Sequence, residues 1–405
     1  MPSLNMKSYG FRILSLILFL AAAANGVRSQ TSTPGVTVLH AARLLEIESG
    51  RMLSPGEVLV KGDRIVEVGS TVKRPAGAVF IDLGDRTLLP GLIDAHMHLF
   101  LHPGAEGLQT VQESVPQRTI MATIAARDDL MGGFTAERDM GTEGAGSADT
   151  AVRDAINRGE IPGPRLRISG NAVNILGGHE DAIGFNPAQH VLPNADYAND
   201  AEQLIEVMRE QIKEGADFTK IYETGADSIH DGVLSTPYQY TEEQLRAAVG
   251  EAARQGRHVA VHATGDPGAL YAARAGVVSI DHSFQLSDET MRVMHEKHIF
   301  AVPTFAIQEY FATHSPNPLA GQWEQPLLDL HVQNFRKQLA AGVPIACTNG
   351  EIRHDAVAGA TSGFDQWRET AGLGRADRSA QDRIFCRHCG RSRKSAERYF
   401  CLASR

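Results

Sequence analysis

The stretch GLIDAHMHLF, residues 91–100, decides how the whole chain is read. Leu92, Ile93, Ala95, Met97 and Leu99 have the character of a buried strand, yet Asp94, His96 and His98 interrupt it at alternate positions. Alternate side chains of a strand share a face, so His96 and His98 project together, about 6–7 Å apart by the strand rise. Two neutral imidazoles aimed at one point are a natural pair of metal ligands. A lone histidine here would read first as a satisfied core residue. An H-x-H pair at a strand end, directly after LPG at 89–91, favours a metal site instead.

The bulk composition sets the frame. The chain has 405 residues, 42% hydrophobic and 21% charged, as expected of a globular protein with one large and one smaller domain. A net charge of -9, with no basic stripe before the last thirty or so residues, argues against nucleic acid as a partner. Lys7 and Arg12 precede the apolar run ILSLILFLAAAANG, 13–26, which ends in small residues. This is the layout of a secretory signal peptide, too short for a convincing membrane span. The expectation is a leader over 1–30, cleavage between Ala24 and Gln30, a secreted or periplasmic enzyme, and no stable membrane anchor afterwards. The four cysteines are Cys347, Cys386, Cys389 and Cys401, so the main body cannot depend on disulfides.

Organisation changes at residue 91. Residues 36–90 alternate apolar and polar residues, punctuated by KGD and LGD, and predict a small β-module over 31–90. Beyond it, apolar strands such as FTKIYE, HVAVHATG, VVSIDHSF and IFAVPTF alternate with amphipathic helical stretches. That alternation predicts a parallel sheet and, repeated over this length, an α/β fold of the (β/α)8 TIM-barrel type over 91–370. The active site of such a barrel lies at the C-terminal ends of its strands. Those ends carry His96 and His98, then His262 after VAV, then His282 after VVSID. Lys220 sits within GADFTKIYETG, where a buried ammonium is costly. It either snorkels to the rim or carries CO2 as a carbamate, a long carboxylate able to bridge two cations.

Taken together, PGLIDAHMH, GFTAERDMG (133–141), GPRLRISG (163–170), GADFTKIY, VAVHATG and SIDHSF resemble the amidohydrolase superfamily over roughly residues 36–345. The likeness is to its imidazolonepropionase-like and Xaa-Pro dipeptidase-like branches. The resemblance implies that His96 and His98 hold one metal, that a carboxylated Lys220 bridges, and that His262 and His282 hold a second. Two divalent cations are therefore expected, with zinc as first choice, although the same ligands suit manganese, cobalt or iron. NILGGHED (174–181) matches a family loop, giving His179 a catalytic or substrate-binding role or that of a solvated loop residue. Tyr222, on the same strand face as Lys220, is expected to line the pocket. The implied reaction is attack of a metal-activated water on an amide carbonyl.

The departures are as informative. The family places an aspartate after the eighth strand to carry the proton. Here AAGVPIACTNGE (340–351) puts Asn349 nearest that position, and an amide cannot accept the proton. From about Arg375 the chain turns arginine-rich, and after AGLG (371–374) the family's return strands are not recognisable. This predicts an incomplete β-sandwich module and an aberrant, unstructured tail over 371–405. The leading expectation is hydrolysis of a dipeptide or an N-acyl amino acid. The alternatives are a cyclic amide such as an imidazolone, a metal-binding protein with impaired catalysis, and a broken product that does not accumulate. The partner is a small-molecule amide, and the chain is compatible with a homo-oligomer.

Overall fold

Alternating residues over 36–90 build two small sheets, and the continuous apolar runs beyond build parallel strands buried on both faces. The computed structural model describes residues 35–102, 106–181, 185–186, 188–314, 320–348 and 400–403. The expected leader, Asn349 and residues 350–399 lie outside the described residues. No helix among the described residues is long and apolar enough to cross a membrane.

The first sheet runs in the order β5-β4-β1-β6, from β1 (Val36–Ala41), β4 (Gly56–Lys61), β5 (Arg64–Gly69) and β6 (Val79–Asp82). The second runs β19-β7-β2-β3, from β2 (Arg43–Glu46), β3 (Arg51–Leu53), β7 (Thr87–Pro90) and β19 (Phe400–Ala403). Ala41 and Val58 of the first sheet share a core with Leu44 and Leu88 of the second. Gly56 permits that approach, because a Cβ there would lie 2.3 Å from the Leu44 Cβ. β19 pairs antiparallel with β7, Phe400 opposite Pro90 and Ala403 opposite Thr87. Four residues of the expected unstructured tail are thus an edge strand. Backbone pairing with β7 needs no recognisable motif, which is why the sequence concealed it.

Beyond residue 91, β8 (Leu92–Met97), β9 (Phe134–Asp139) and β10 (Arg165–Ile168) form one parallel sheet. A second parallel sheet has the order β12-β11-β13-β16-β17-β18. Its strands are β11 (Val173–Asn174), β12 (Asp196–Tyr197), β13 (Thr219–Tyr222), β16 (Val259–Gly265), β17 (Ser279–Gln285) and β18 (Phe300–Val302). The hairpin β14 (Ser228–His230) and β15 (Val233–Ser235) stands apart. Every residue of β16 is buried, as parallel strands under helices require.

The helices are α1 (Glu106–Gln112), α2 (Val115–Gly132), α3 (Ala148–Asn157), α4 (Ala201–Glu214), α5 (Glu242–Arg254), α6 (Gly268–Ala275), α7 (Asp288–Lys297), α8 (Phe305–His314) and α9 (Ala320–Ala340). Local chemistry fixes their ends. Thr241 and Gln244 form a reciprocal capping box at the start of α5. Asp200 caps α4, which stops at Gly215 in the left-handed region (φ 111°). Leu245, Ala248 and Ala252 of α5 and Ala269, Ala272 and Ala273 of α6 pack on Val259, Val261 and Ile280.

Main-chain hydrogen bonds also run between the two parallel sheets. The Asp217 N–H donates to the Ile168 carbonyl at 2.8 Å, the Ala346 N–H to Ala301 at 3.0 Å, and the Ala95 N–H to Cys347 at 2.9 Å. Among its described residues, 340–348, the stretch expected as a final strand makes one parallel bridge, Ala301 with Ile345. Pro344 lacks an N–H, and Gly342 turns into the left-handed region (φ 74°), so pairing cannot extend backwards from Ile345.

Candidate active site

The strand ends bring the predicted residues together. His96 is the penultimate residue of β8 and His98 directly follows the strand, 4% and 8% exposed. β13 contributes Lys220 and Tyr222, β16 contributes His262, and β17 contributes His282. The rings form an arc, with centroid separations of 5.2 Å for His98–His96, 4.8 Å for His96–His282 and 4.3 Å for His282–His262. It continues to His179 at 4.0 Å from His262, and Tyr222 stacks on His179 at 5.1 Å. The Lys220 ammonium lies 5.2 Å from the Tyr222 ring centroid.

Hydrogen bonds orient the rings. Nδ1 of His96 lies 2.8 Å from the Asp281 carboxylate. Nδ1 of His98 faces the Gly141 carbonyl at 3.0 Å and Oε1 of Glu143 at 3.1 Å. Oxygens of these kinds accept, so Nδ1 carries a proton in both rings, and the neutral His96 ring keeps its lone pair on Nε2. Nδ1 of His282 meets the Thr304 hydroxyl at 2.6 Å. Nε2 of His262 and Nζ of Lys220 are buried without a hydrogen-bond partner. Around them, Glu143 accepts the Tyr222 hydroxyl at 3.0 Å. Arg138 donates from Nε to the Ala95 carbonyl at 2.6 Å and from Nη2 to Asp281 at 3.3 Å. His179 is set by Gln239, whose Oε1 accepts the His179 N–H at 2.6 Å and whose Nε2 donates to the Tyr222 carbonyl at 2.6 Å.

Electrostatics keep three rings of the arc, those of His96, His262 and His282, neutral. Burial, reinforced by the Lys220 ammonium, holds His96, His262 and His282 well below the usual histidine range. Burial also brings Lys220 down to about 8, against the pull of Asp281 and Glu143. Glu180 goes well up, through burial and the neighbouring Glu143. Neutral imidazoles and a readily deprotonated amine are the forms that metal ligation and carbamate formation require. The two orphaned nitrogens therefore fit a cation held at this place. Among the described residues, no three His, Cys, Asp or Glu side chains are already arranged as a metal cage. The histidine rings instead lie against one another beside a weakly basic amine.

Asp281, Arg138, Glu143 and Thr304 were not singled out in the sequence, although the quoted stretches contain all but Glu143. Asp281 precedes His282, and strand alternation would send the two to opposite faces. His282 and Ser283 instead have φ values of 74° and 48°, and the β16–β17 register slips between Ala263 and Gly265. The irregularity lets consecutive side chains both reach His96. A cavity of about 420 Å³ lies elsewhere, among Ser147, Thr150, Asn171, Asp196, Gln211 and Glu214, and none of the arc residues lines it.

Histidine rings gathered beside a buried lysine on parallel strands fit the centre of a metal-dependent hydrolase. Residues 87–348 match the amidohydrolase family, and the chain belongs to that family. It is a hydrolase acting on C–N bonds. It is 30% identical to an ochratoxinase of Aspergillus niger over 346 residues, covering 79% of this chain and 70% of that protein. An imidazolonepropionase of Streptomyces griseus is 26% identical over 252 residues, 58% of this chain and 59% of its own. Among solved structures, a Xaa-Pro dipeptidase with methionine bound in its active site aligns with a TM-score of 0.74 at 26% identity, covering 88% of each chain. The A. niger ochratoxinase structure aligns at 0.70 with 25% identity, covering 86% of this chain and 83% of the other.

Proposed function

We propose that the protein hydrolyses the amide or peptide bond of a small substrate, a dipeptide or an N-acyl amino acid, at a binuclear metal centre. His96 and His98 would hold one divalent cation and His262 and His282 the other, with zinc as first choice and a carboxylated Lys220 between them. The observation that carries this reading is the arc of four histidine rings around Lys220, whose Nζ is buried without a partner. The main-chain hydrogen bonds that join Asp217 to Ile168, Ala346 to Ala301 and Ala95 to Cys347 support a closed eight-stave barrel beneath it. The shared core of the two small sheets supports a β-sandwich module beside the barrel. The leader-like run at 13–26 supports export.

When bound, paired cations supply a strongly acidified water and polarise a carbonyl. The chain's own residues do the rest. Asp281 holds the His96 proton on Nδ1, and the Gly141 carbonyl with Glu143 does so for His98, so both Nε2 atoms are presented inward. Tyr222 and His179, stacked on each other, wall the centre on the β13 side and orient the substrate. The Glu180 carboxyl holds its proton to raised pH beside Glu143. A metal-binding protein with impaired turnover is the second reading, favoured by Asn349 at the place where the family carries an aspartate.

The test is metal analysis of the purified full chain beside a screen of N-acyl amino acids and dipeptides. His96→Ala should remove at least one metal and lower kcat/KM by about a thousandfold or more, as loss of a group essential to the reacting centre does. Unchanged metal content would refute the ligand assignment. Two bound metals without turnover on any amide would select the second reading.

A further inference from the structure

Arg118 is among the largest fully buried side chains, 2% exposed, and it belongs to α2 rather than to any strand end. Its guanidinium bonds to main-chain carbonyls. Nε and Nη2 donate to Phe100 at 3.2 and 3.1 Å, Nη2 also to Thr142 at 2.9 Å, and Nη1 to Glu143 at 2.6 Å. Phe100 lies two residues after His98, in the loop leaving β8. Thr142 and Glu143 directly follow Gly141, whose carbonyl takes the His98 Nδ1–H. The segment between is irregular: Gly141, Glu143 and Gly144 have φ values of 151°, 49° and 83°. Carbonyls in such a turn have no ladder partner, and the planar fork of one guanidinium can satisfy several of them at fixed angles.

We propose that Arg118 is the positioning residue of the His98 side of the centre. It ties the β8 and β9 loops into one unit, so that the Gly141 carbonyl and the Glu143 carboxylate together fix the His98 ring. It touches neither substrate nor cation. The inference rests on the reading of His98 as a ligand, and the design separates the two.

Zn2+ affinity of the full chain is measured by competition with a chelator for the parent, Arg118→Lys, Arg118→Met and His98→Ala. Histidine 15N spectra are recorded on the metal-free proteins. Lysine keeps the charge but not the fork, so Arg118→Lys should bind Zn2+ about 10–100-fold more weakly, the loss typical when a ligand's orienting partner is removed. Its metal-free spectrum should lose the hydrogen-bonded Nδ1–H signal of His98. Millimolar guanidinium should restore part of the affinity to Arg118→Met. If His98→Ala weakens binding while Arg118→Lys matches the parent in affinity and spectrum, the positioning role is overturned and the ligand reading stands. If His98→Ala binds as the parent does, the ligand reading falls and this inference falls with it.

Discussion

The rim of the parallel strands and the two-sheet module bury different chemistry. At the rim, His96, His98, Lys220, Glu143 and Asp281 are all buried in the company of other titratable groups. In the module, Ala41, Leu44, Val58 and Leu88 fill the space between sheets, and the buried carboxylate of Glu57 is paired, with the Val72 N–H, His40 and Arg74. Meanwhile Val79, Phe80 and Ile81 of β6 stay 59%, 46% and 40% exposed. Polar burial costs stability unless every group is paired, and the rim leaves the Lys220 and His262 nitrogens unpaired. A protein keeps such an arrangement for its chemistry, whereas the module's contacts leave its buried carboxylate, Glu57, paired and serve the fold. Stability and function should therefore dissociate between the two regions.

The largest effect on stability is expected in the module. Leu88→Ala deletes a side chain that is 1% exposed and shared by both sheets. Large-to-small changes at such positions cost about 2–5 kcal/mol. Chemical denaturation should show that loss, with metal stoichiometry unchanged in the folded protein. Loss of metal in step with stability would mean that the two regions are energetically one.

Asp281→Asn is the opposite probe. It keeps the shape and an acceptor for the His96 Nδ1–H, but removes the charge that orients His96 and pairs with Arg138. Metal affinity should fall about 10–100-fold, as for other losses of a ligand's supporting carboxylate. The unfolding midpoint should change little or rise. A large drop in stability with intact affinity would make Asp281 a structural residue and blur the contrast.

How much of this was legible depends on how local the signal was. His96, His98, His262 and His282 each end an apolar run, so strand periodicity alone placed them at one rim. Lys220 stood out because a cation within FTKIY has no apolar excuse. Asp281 was hidden by the irregularity at His282, which defeats the alternation rule. Glu143 lies in a turn with positive φ that no simple pattern encodes. Arg118 looks like any polar residue in the first turn of a helix. Its role appears only when the loops after β8 and β9 are brought over α2 by tertiary packing. The same holds for β19, whose partner β7 lies more than three hundred residues earlier, beyond the reach of periodicity.

The smallest predicted effect tests whether the rim histidines are held neutral. In the metal-free protein, burial keeps His96, His262 and His282 uncharged far below the 6.5 of an unfolded histidine. Below pH 6.5 the unfolded chain takes up protons that the folded chain refuses. Each such group therefore lowers stability as pH falls, by about 1.4 kcal/mol per pH unit while the mismatch is complete. Asp139, Glu180 and Glu223, raised well above the carboxylate range, and Asp149, raised to about 6, act in the opposite sense. They hold protons that the unfolded chain has lost, and their contribution fades as pH rises. The total slope therefore mixes both signs and identifies nothing. The difference between parent and His262→Gln isolates one histidine, with the carboxyls common to both. That difference should be flat above pH 7 and should change by about 1.4 kcal/mol per pH unit between pH 6 and 5, the variant being the less acid-sensitive. Parallel curves throughout would mean that His262 takes up its proton in the folded protein, and that the rim tolerates charge as readily as the surface of the module.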